Sequence, residues 1–232
     1  MDCCFCEEYY NPLNNQYYNE FGRSINIPSR ILFETDNWYV VPTIGCLTVG
    51  YVLLVCKNHH MSLANLSFKL YTEMLEIKKT VTKILEKKTG LKCITFEHGV
   101  THIGFTGTNS VNHVHMHIVP CQTDIWSNIL RNHRNVISFF GYVELFEFWQ
   151  HNYPHAYLIF QDIEETIHYI PDSSGFPSQF FRRHLAASLG MNEWDWRKEC
   201  YIENLIATHC LLSTDFSLVV KNQEICSAQV II

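Results

Sequence analysis

Between residues 112 and 120 the chain reads Asn-His-Val-His-Met-His-Ile-Val-Pro, so His113, His115 and His117 fall at every second position. Successive side chains of an extended strand point to opposite sides. The run therefore predicts a strand with three imidazoles on one face and Val114, Met116 and Ile118 on the other. A merely His-rich polar strand or a metal-sticky surface would lack those buried-type residues between the histidines. One face suits a core. The other suits chemistry, because imidazole binds metals when neutral, carries protons near neutral pH and attacks phosphorus.

The segments on either side give this strand a sheet to belong to. Residues 38–41 and 49–56 are β-branched and aromatic, are separated by Pro42 and Gly45, and read as a hairpin or meander. Over 62–88, Leu63, Leu66, Leu70, Met74, Ile77 and Val81 recur at three- and four-residue steps, and Gly90 follows. That spacing predicts a long amphipathic helix packed on a sheet. A strand over 91–97, a Gly- and Thr-rich loop over 99–109 and the histidine strand complete an α+β arrangement: an antiparallel sheet with a long helix on one face. Beyond Pro120 no linker-like tract intervenes, so residues 121–232 read as an integrated α/β extension packed on a 1–120 core. Strands are expected there over 136–140, 156–160 and 166–170, and helices over 142–150, 177–189 and 194–207.

With 232 residues, 47% of them hydrophobic, the chain has ample material for a core. Its net charge of −6 argues against a broad basic surface for nucleic acid and leaves room for a small nucleotide in a pocket. No signal peptide is recognisable in the first ten residues and no apolar run is long enough to span a membrane. A cytoplasmic protein is expected, and its ten cysteines then read as free thiols or metal ligands rather than a disulfide framework. Cys3 and Cys6 have the Cys-x-x-Cys spacing that grips one tetrahedral zinc, and His59 or His60 together with His113 can complete a closed structural site. Cys4 could replace Cys3 only with an unfavourable bite, and unrelated thiols near a tail are the alternative.

Taken together, Cys3-Cys4-Phe5-Cys6, the strand leading into Lys57-Asn58-His59-His60-Met61-Ser62-Leu63 and the triad with Ile118-Val119-Pro120 resemble the histidine triad (HIT) superfamily of nucleotide hydrolases and transferases. Phe96-Glu97-His98-Gly99 and the tail segments 177–184 and 194–197 are similar to a bacterial-type subgroup with a longer C-terminal half. The resemblance implies that His115 attacks the α-phosphorus of a small nucleotide, such as a dinucleoside polyphosphate or nucleotide conjugate, and forms a covalent nucleotidyl intermediate, while His117 holds the phosphate oxygens. It assigns His113 and His59, with Cys3 and Cys6, to one structural zinc ion per chain, and it implies a homodimer. A non-catalytic nucleotide-binding scaffold with the same fold is the alternative.

Two departures bear on this expectation. Cys121 stands where the family usually has Arg, and Glu97-His98-Gly99 replaces an Asn-x-Gly loop, so His98 would replace an amide contact or donate to the leaving group. Asn109, Ser110 and Asn112 offer donors suited to phosphate, or are ordinary loop residues. In the extension, Gln179, Arg182 and Arg183 share a helix face by their spacing, and an arginine fork there would offset the residue missing at 121. The plain alternative is a solvated basic face.

Overall fold

The computed structural model of the protein describes residues 3–102, 111–122, 125–133 and 135–229. Its centre is one antiparallel sheet of eight strands in the order β1-β2-β3-β5-β4-β7-β8-β6. These are β1 (Phe33–Glu34), β2 (Trp38–Pro42), β3 (Val52–Cys56), β4 (Cys93–Val100), β5 (His115–Pro120), β6 (Ile137–Phe139), β7 (Ala156–Gln161) and β8 (Ile167–Ile170). The chain is thus a mixed helix and antiparallel-sheet protein. Strands from beyond residue 120 extend the sheet of the first half: β7 pairs with β4 along its length, Glu97 opposite Ile159 and Gly99 opposite Tyr157.

Alternation along the strands divides the interior in two. Val40, Val52, Leu54, Val114, Met116 and Ile118 face a core closed by α2 (Phe68–Thr89) and α4 (Tyr142–His151). Val41, Leu53, Val55, Ile94, Phe96 and Phe160 face a second core. Over it lie α1 (Cys4–Tyr10), α3 (Trp126–Asn132) and α5 (Phe180–Ser188), through Phe5, Ile129, Phe181 and Leu185. The last helix, α6 (Ile202–Gln229), gives Leu205 to this second core and Leu212 and Phe216 to the first.

Helix α2 begins later than its leucine spacing predicts. Leu63–Asn65 form a 3-10 turn, and Ser67 is the N-cap, its side chain accepting from the Leu70 amide. Gly90, left-handed at φ 71°, ends the helix where expected. The loop expected from Gly99 begins later too: β4 continues to Val100 because Gly99 lets the Tyr157 ring lie across it, in space a Cβ would occupy. The helix expected over 194–207 starts only at Ile202. The Glu193 carboxylate accepts from the Trp194 and Asp195 amides and Asp195 from the Arg197 amide, so side chains turn this segment in place of helical hydrogen bonds. Helices α1 and α3 have no counterpart in the sequence reading. Among the described residues, no helix is long and apolar enough to cross a membrane.

Candidate functional site

Sheet register brings the second face of β5 to the centre of the molecule. Val55 lies opposite His115, and His117 lies between Leu53 on one side and Phe96 on the other. The two imidazoles are neighbours, with centroids 4.9 Å apart, and His117 is stacked on Phe96 at 4.3 Å. His113 precedes the paired part of the strand and turns to a different task.

That task is a cluster with Cys3, Cys6 and His59, whose ligand atoms all lie within 4.8 Å of one another. His113 Nδ1 is 3.3 Å from Cys3 Sγ and 3.5 Å from Cys6 Sγ, and Cys6 Sγ is 3.5 Å from His59 Nδ1. Two thiolates and two imidazole nitrogens round a tetrahedral zinc ion stand about 3.3–3.8 Å apart, given metal bonds of about 2.0–2.3 Å. The donor set also fits in its protonation. His113 Nε2 donates to the Cys56 carbonyl at 2.6 Å, which leaves the Nδ1 lone pair facing the two sulfurs. These four residues can hold a metal ion, and they gather α1, the segment after β3 and the approach to β5. His60 is absent from the cluster, and its backbone carbonyl accepts from the Val114 amide.

His115 and His117 open instead on a cavity shared with Phe5, Arg30, Thr43, Leu53, His98, Gln179, Arg182 and Trp196. The concavity with its mouth spans about 560 Å³. Its wall from the extension fits closely. Gly45, at φ 72°, donates its amide to the Cys200 carbonyl and accepts from Arg182 Nη2, and a Cβ there would come within 2.5 Å of the Trp196 Cβ.

Hydrogen bonds fix which nitrogen of His115 and of His98 carries the proton. His115 Nδ1 donates to the His113 carbonyl at 2.6 Å, so its lone pair is on Nε2. Burial pushes His115 down to about 4 although this carbonyl works the other way, so the ring is neutral near pH 7. Tyr51 hydroxyl lies 2.6 Å from His117 Nδ1, and the Arg182 guanidinium lies 5.6 Å over the Tyr51 ring. With the hydroxyl donating, His117 keeps its own proton on Nε2. Burial, then the neighbouring His115, His98 and Arg182, hold His117 well below its ordinary value. His98 Nε2 accepts from the Phe181 amide at 3.2 Å, placing its proton on Nδ1, and burial brings it down to about 3.

The two arginines of the cavity differ in company. Arg30 donates from Nε and Nη2 to both oxygens of Glu8, at 2.6 and 2.7 Å, and from Nη1 to the Pro42 carbonyl. Arg182 donates to neutral oxygens, Gly45 O at 2.7 Å and Trp194 O at 3.2 Å, and lies over the Tyr51 ring.

Of the residues singled out in the sequence, Cys3, Cys6, His59 and His113 come together in the first cluster, and His98, His115, His117, Gln179 and Arg182 line the cavity. Arg183 turns away, its guanidinium lying 3.4 Å over the Trp194 ring and donating to the Ser178 carbonyl. Asn109 and Ser110 lie outside the described residues, and Cys121 is buried in the second core. Sequence reasoning misses Tyr51 and Arg30, and it includes Trp196, which lines the cavity, only within the tail segment 194–197. Tyr51 precedes a strand whose alternation points it to the face of Leu53, but its meeting with His117 depends on a register that the sequence does not display.

Part of the chain is similar to known proteins. Residues 24–124 match the HIT domain model. An uncharacterised HIT-like protein of Borreliella burgdorferi is 26% identical over 119 residues, covering 51% of this chain and 75% of that protein. Similar solved structures include a hypothetical histidine triad nucleotide-binding protein from Sulfolobus tokodaii, at 17% identity and TM-score 0.39 over 53% of this chain and 71% of that one. Another is a histidine triad nucleotide-binding protein from Candida albicans, at 24% identity and TM-score 0.37 over 53% and 76%. Residues 24–124 of the chain are thus similar to the HIT domain family.

Proposed function

We propose that the protein is a nucleotidyl hydrolase or transferase that cleaves a phosphoanhydride or phosphoester of a small nucleotide through a covalent intermediate on His115. The observation that carries this reading is the His115 ring: it is neutral, its Nδ1 proton is tied to the His113 carbonyl, and it lines a cavity that also holds two arginines. Nε2 attacks the α-phosphorus, the bond to the leaving oxygen breaks with its electron pair on the leaving group, and a P–N bond forms. His117, with its proton on Nε2, donates to the phosphoryl oxygens as charge gathers on them. Phe5, Leu53 and Trp196 give the base and sugar an apolar wall, and His98, Gln179 and Arg182 form a polar end for phosphate.

A zinc ion on Cys3, Cys6, His59 and His113 would serve structure: it would fix α1, and so Phe5, whose ring lies 5.0 Å from that of His115. Trapping with a nucleotide labelled in the α-phosphate tests the nucleophile. Wild type forms an acid-labile adduct, and His115→Ala forms none and loses at least about 10³-fold in turnover. Equal adduct in both removes His115 from the chemistry. Tight nucleotide binding without adduct or turnover in wild type supports a scaffold instead.

A further inference from the structure

At the edge of the sheet opposite β1, the chain assembles polar side chains of which none lines the histidine cavity. β6 ends the sheet there, and its Ser138 lies directly opposite His168 of β8, which in turn lies opposite Phe160 of β7. Ser138 Oγ is 3.0 Å from His168 Nδ1, and His168 Nε2 is 2.8 Å from Asp162 Oδ2. Ser138 is exposed, while the imidazole between it and the carboxylate is on a residue only 8% exposed.

Each of the three is also held by something outside the group. Asp162 closes the turn between β7 and β8: its Oδ1 accepts from the Glu164 and Thr166 amides at 2.9 and 3.0 Å, which leaves Oδ2 for the imidazole. The Trp126 ring is stacked on His168 at 3.9 Å and 17°, which sets the plane of the imidazole. Strand register sets Ser138. A carboxylate only accepts, so His168 Nε2 carries the proton that it donates to Oδ2. In the neutral ring Nδ1 then has the lone pair, and the Ser138 hydroxyl donates to it. A buried imidazole needs partners, but an exposed hydroxyl has water and does not need this one. What the arrangement adds is a base placed to take the hydroxyl proton and oriented by a carboxylate, with the hydroxyl open to solvent. Those are the roles that make a serine nucleophilic, whatever the order of the residues in the chain.

We infer that Ser138, His168 and Asp162 form a second reactive centre, in which Ser138 takes the acyl group of an activated carboxylic ester. A positioned general base contributes about 10²–10⁴-fold. Ser138 is exposed on the terminal strand, so the acyl donor supplies the rest of the reactivity through a good leaving group, as an aryl ester does. Ser138 Oγ attacks the carbonyl carbon as its proton passes to His168 Nδ1. The carbon–oxygen bond to the leaving group breaks with its electron pair on that oxygen, which takes the proton from Nδ1. Water then attacks the acyl-Ser138 carbonyl, its proton passes through Nδ1 to Ser138 Oγ, and the carboxylic acid is released. Asp162 touches no reacting atom and is a positioning residue that holds the ring in the required tautomer. Neither the nucleotide nor His115 takes part.

Reaction of the full chain with a fluorophosphonate, which forms a lasting bond to activated serines, tests the centre when followed by peptide mapping. Ser138 is labelled at least about 100-fold faster than other exposed serines of the chain. Asp162→Asn keeps an oxygen for the two turn amides but presents its own N–H to Nε2. The ring then carries its proton on Nδ1 and has no lone pair for Ser138, so labelling falls at least about tenfold with an unchanged thermal transition. A bridge that served structure alone would leave that rate where it was. Ser138→Ala, a change at an exposed position, decides the matter where Asp162→Asn shifts the transition: its initial rate of 4-nitrophenyl acetate cleavage is at least about tenfold below that of wild type. Label spread evenly over the exposed serines, an unchanged labelling rate in a folded Asp162→Asn protein, or ester cleavage as fast in Ser138→Ala as in wild type overturns the inference.

Discussion

The two faces of the sheet bury ionisable groups on opposite terms. On the α2 face, Glu97 is enclosed and fully met: Oε1 accepts from the Leu63 amide at 2.8 Å, and Oε2 is hydrogen-bonded to the Tyr157 hydroxyl at 2.7 Å. On the other face, the Glu8–Arg30 pair is met in the same way, but the residues lining the cavity beside it include Gln179, whose Oε1 is buried without a partner among the described residues, Arg182, which has no carboxylate among them, and His115 with its Nε2 lone pair. A protein interior leaves such groups unmatched at a cost of about 1–3 kcal/mol each. Unpartnered polar groups occur on the α2 face too, at Trp38 Nε1, but Gln179 and Arg182 line a concavity that a ligand can enter.

Metal removal breaks the contrast most deeply, because the cavity face depends on α1, a helix of seven residues whose Cys6 and preceding Cys3 belong to the metal cluster. Metal analysis is expected to find about one zinc per chain. Cys6→Ser is expected to lose the metal and several kcal/mol of stability, since a closed zinc site contributes directly to folding. A purified chain that holds no metal, stays folded and turns over nucleotide would show that the four groups are not a zinc site.

How much of the fold and the site is legible in the sequence depends on whether the information is local. The alternation of His115 and His117 with Val114, Met116 and Ile118 is enough to assign the two faces, and spacing and family likeness are enough to single out Cys3, Cys6, His59 and His113. Adjacent Arg182 and Arg183 look equivalent in the sequence because periodicity does not distinguish neighbours. Only packing against Gly45 and Trp194 sends one inward and the other onto an indole face. Arg30 carries no signal and Tyr51 only that of its face, since their roles come from partners 22 and 66 residues away. The turn at 194–201 escapes detection because it is made by carboxylates bonding nearby amides, which compete with helix without altering the apolar spacing.

The matched pair on the cavity face gives the next test. Glu8→Gln keeps the shape of the side chain but leaves Arg30 as a second buried cation without a counter-charge. Breaking such a pair from one side costs about 3–5 kcal/mol, read as a lower midpoint in denaturant with an unchanged slope. A loss below about 1 kcal/mol would mean that Arg30, like Arg182, is held well enough by neutral oxygens, and the difference drawn between the two would vanish.

Glu97 offers the smaller effect and the sharper sign. Burial pushes its carboxyl up to about 8, against bonds from Leu63 and Tyr157 that work the other way. The folded chain therefore holds a proton that the unfolded chain releases near pH 4.5, the ordinary value. The unfolded state binds fewer protons throughout that window, so stability is greatest below it and falls as pH rises towards 8. Between pH 6 and 7.5 this group alone removes about 2 kcal/mol, at about 1.4 kcal/mol per unit. Glu97→Gln has no proton to lose yet can still accept from the Leu63 amide, so its stability curve should be flatter than that of wild type over the same range, at saturating zinc. The two curves running parallel would mean that Glu97 is ionised in the folded state. The α2 face would then hold a buried charge without a cation, and Arg182 would not be the exception that the cavity makes it.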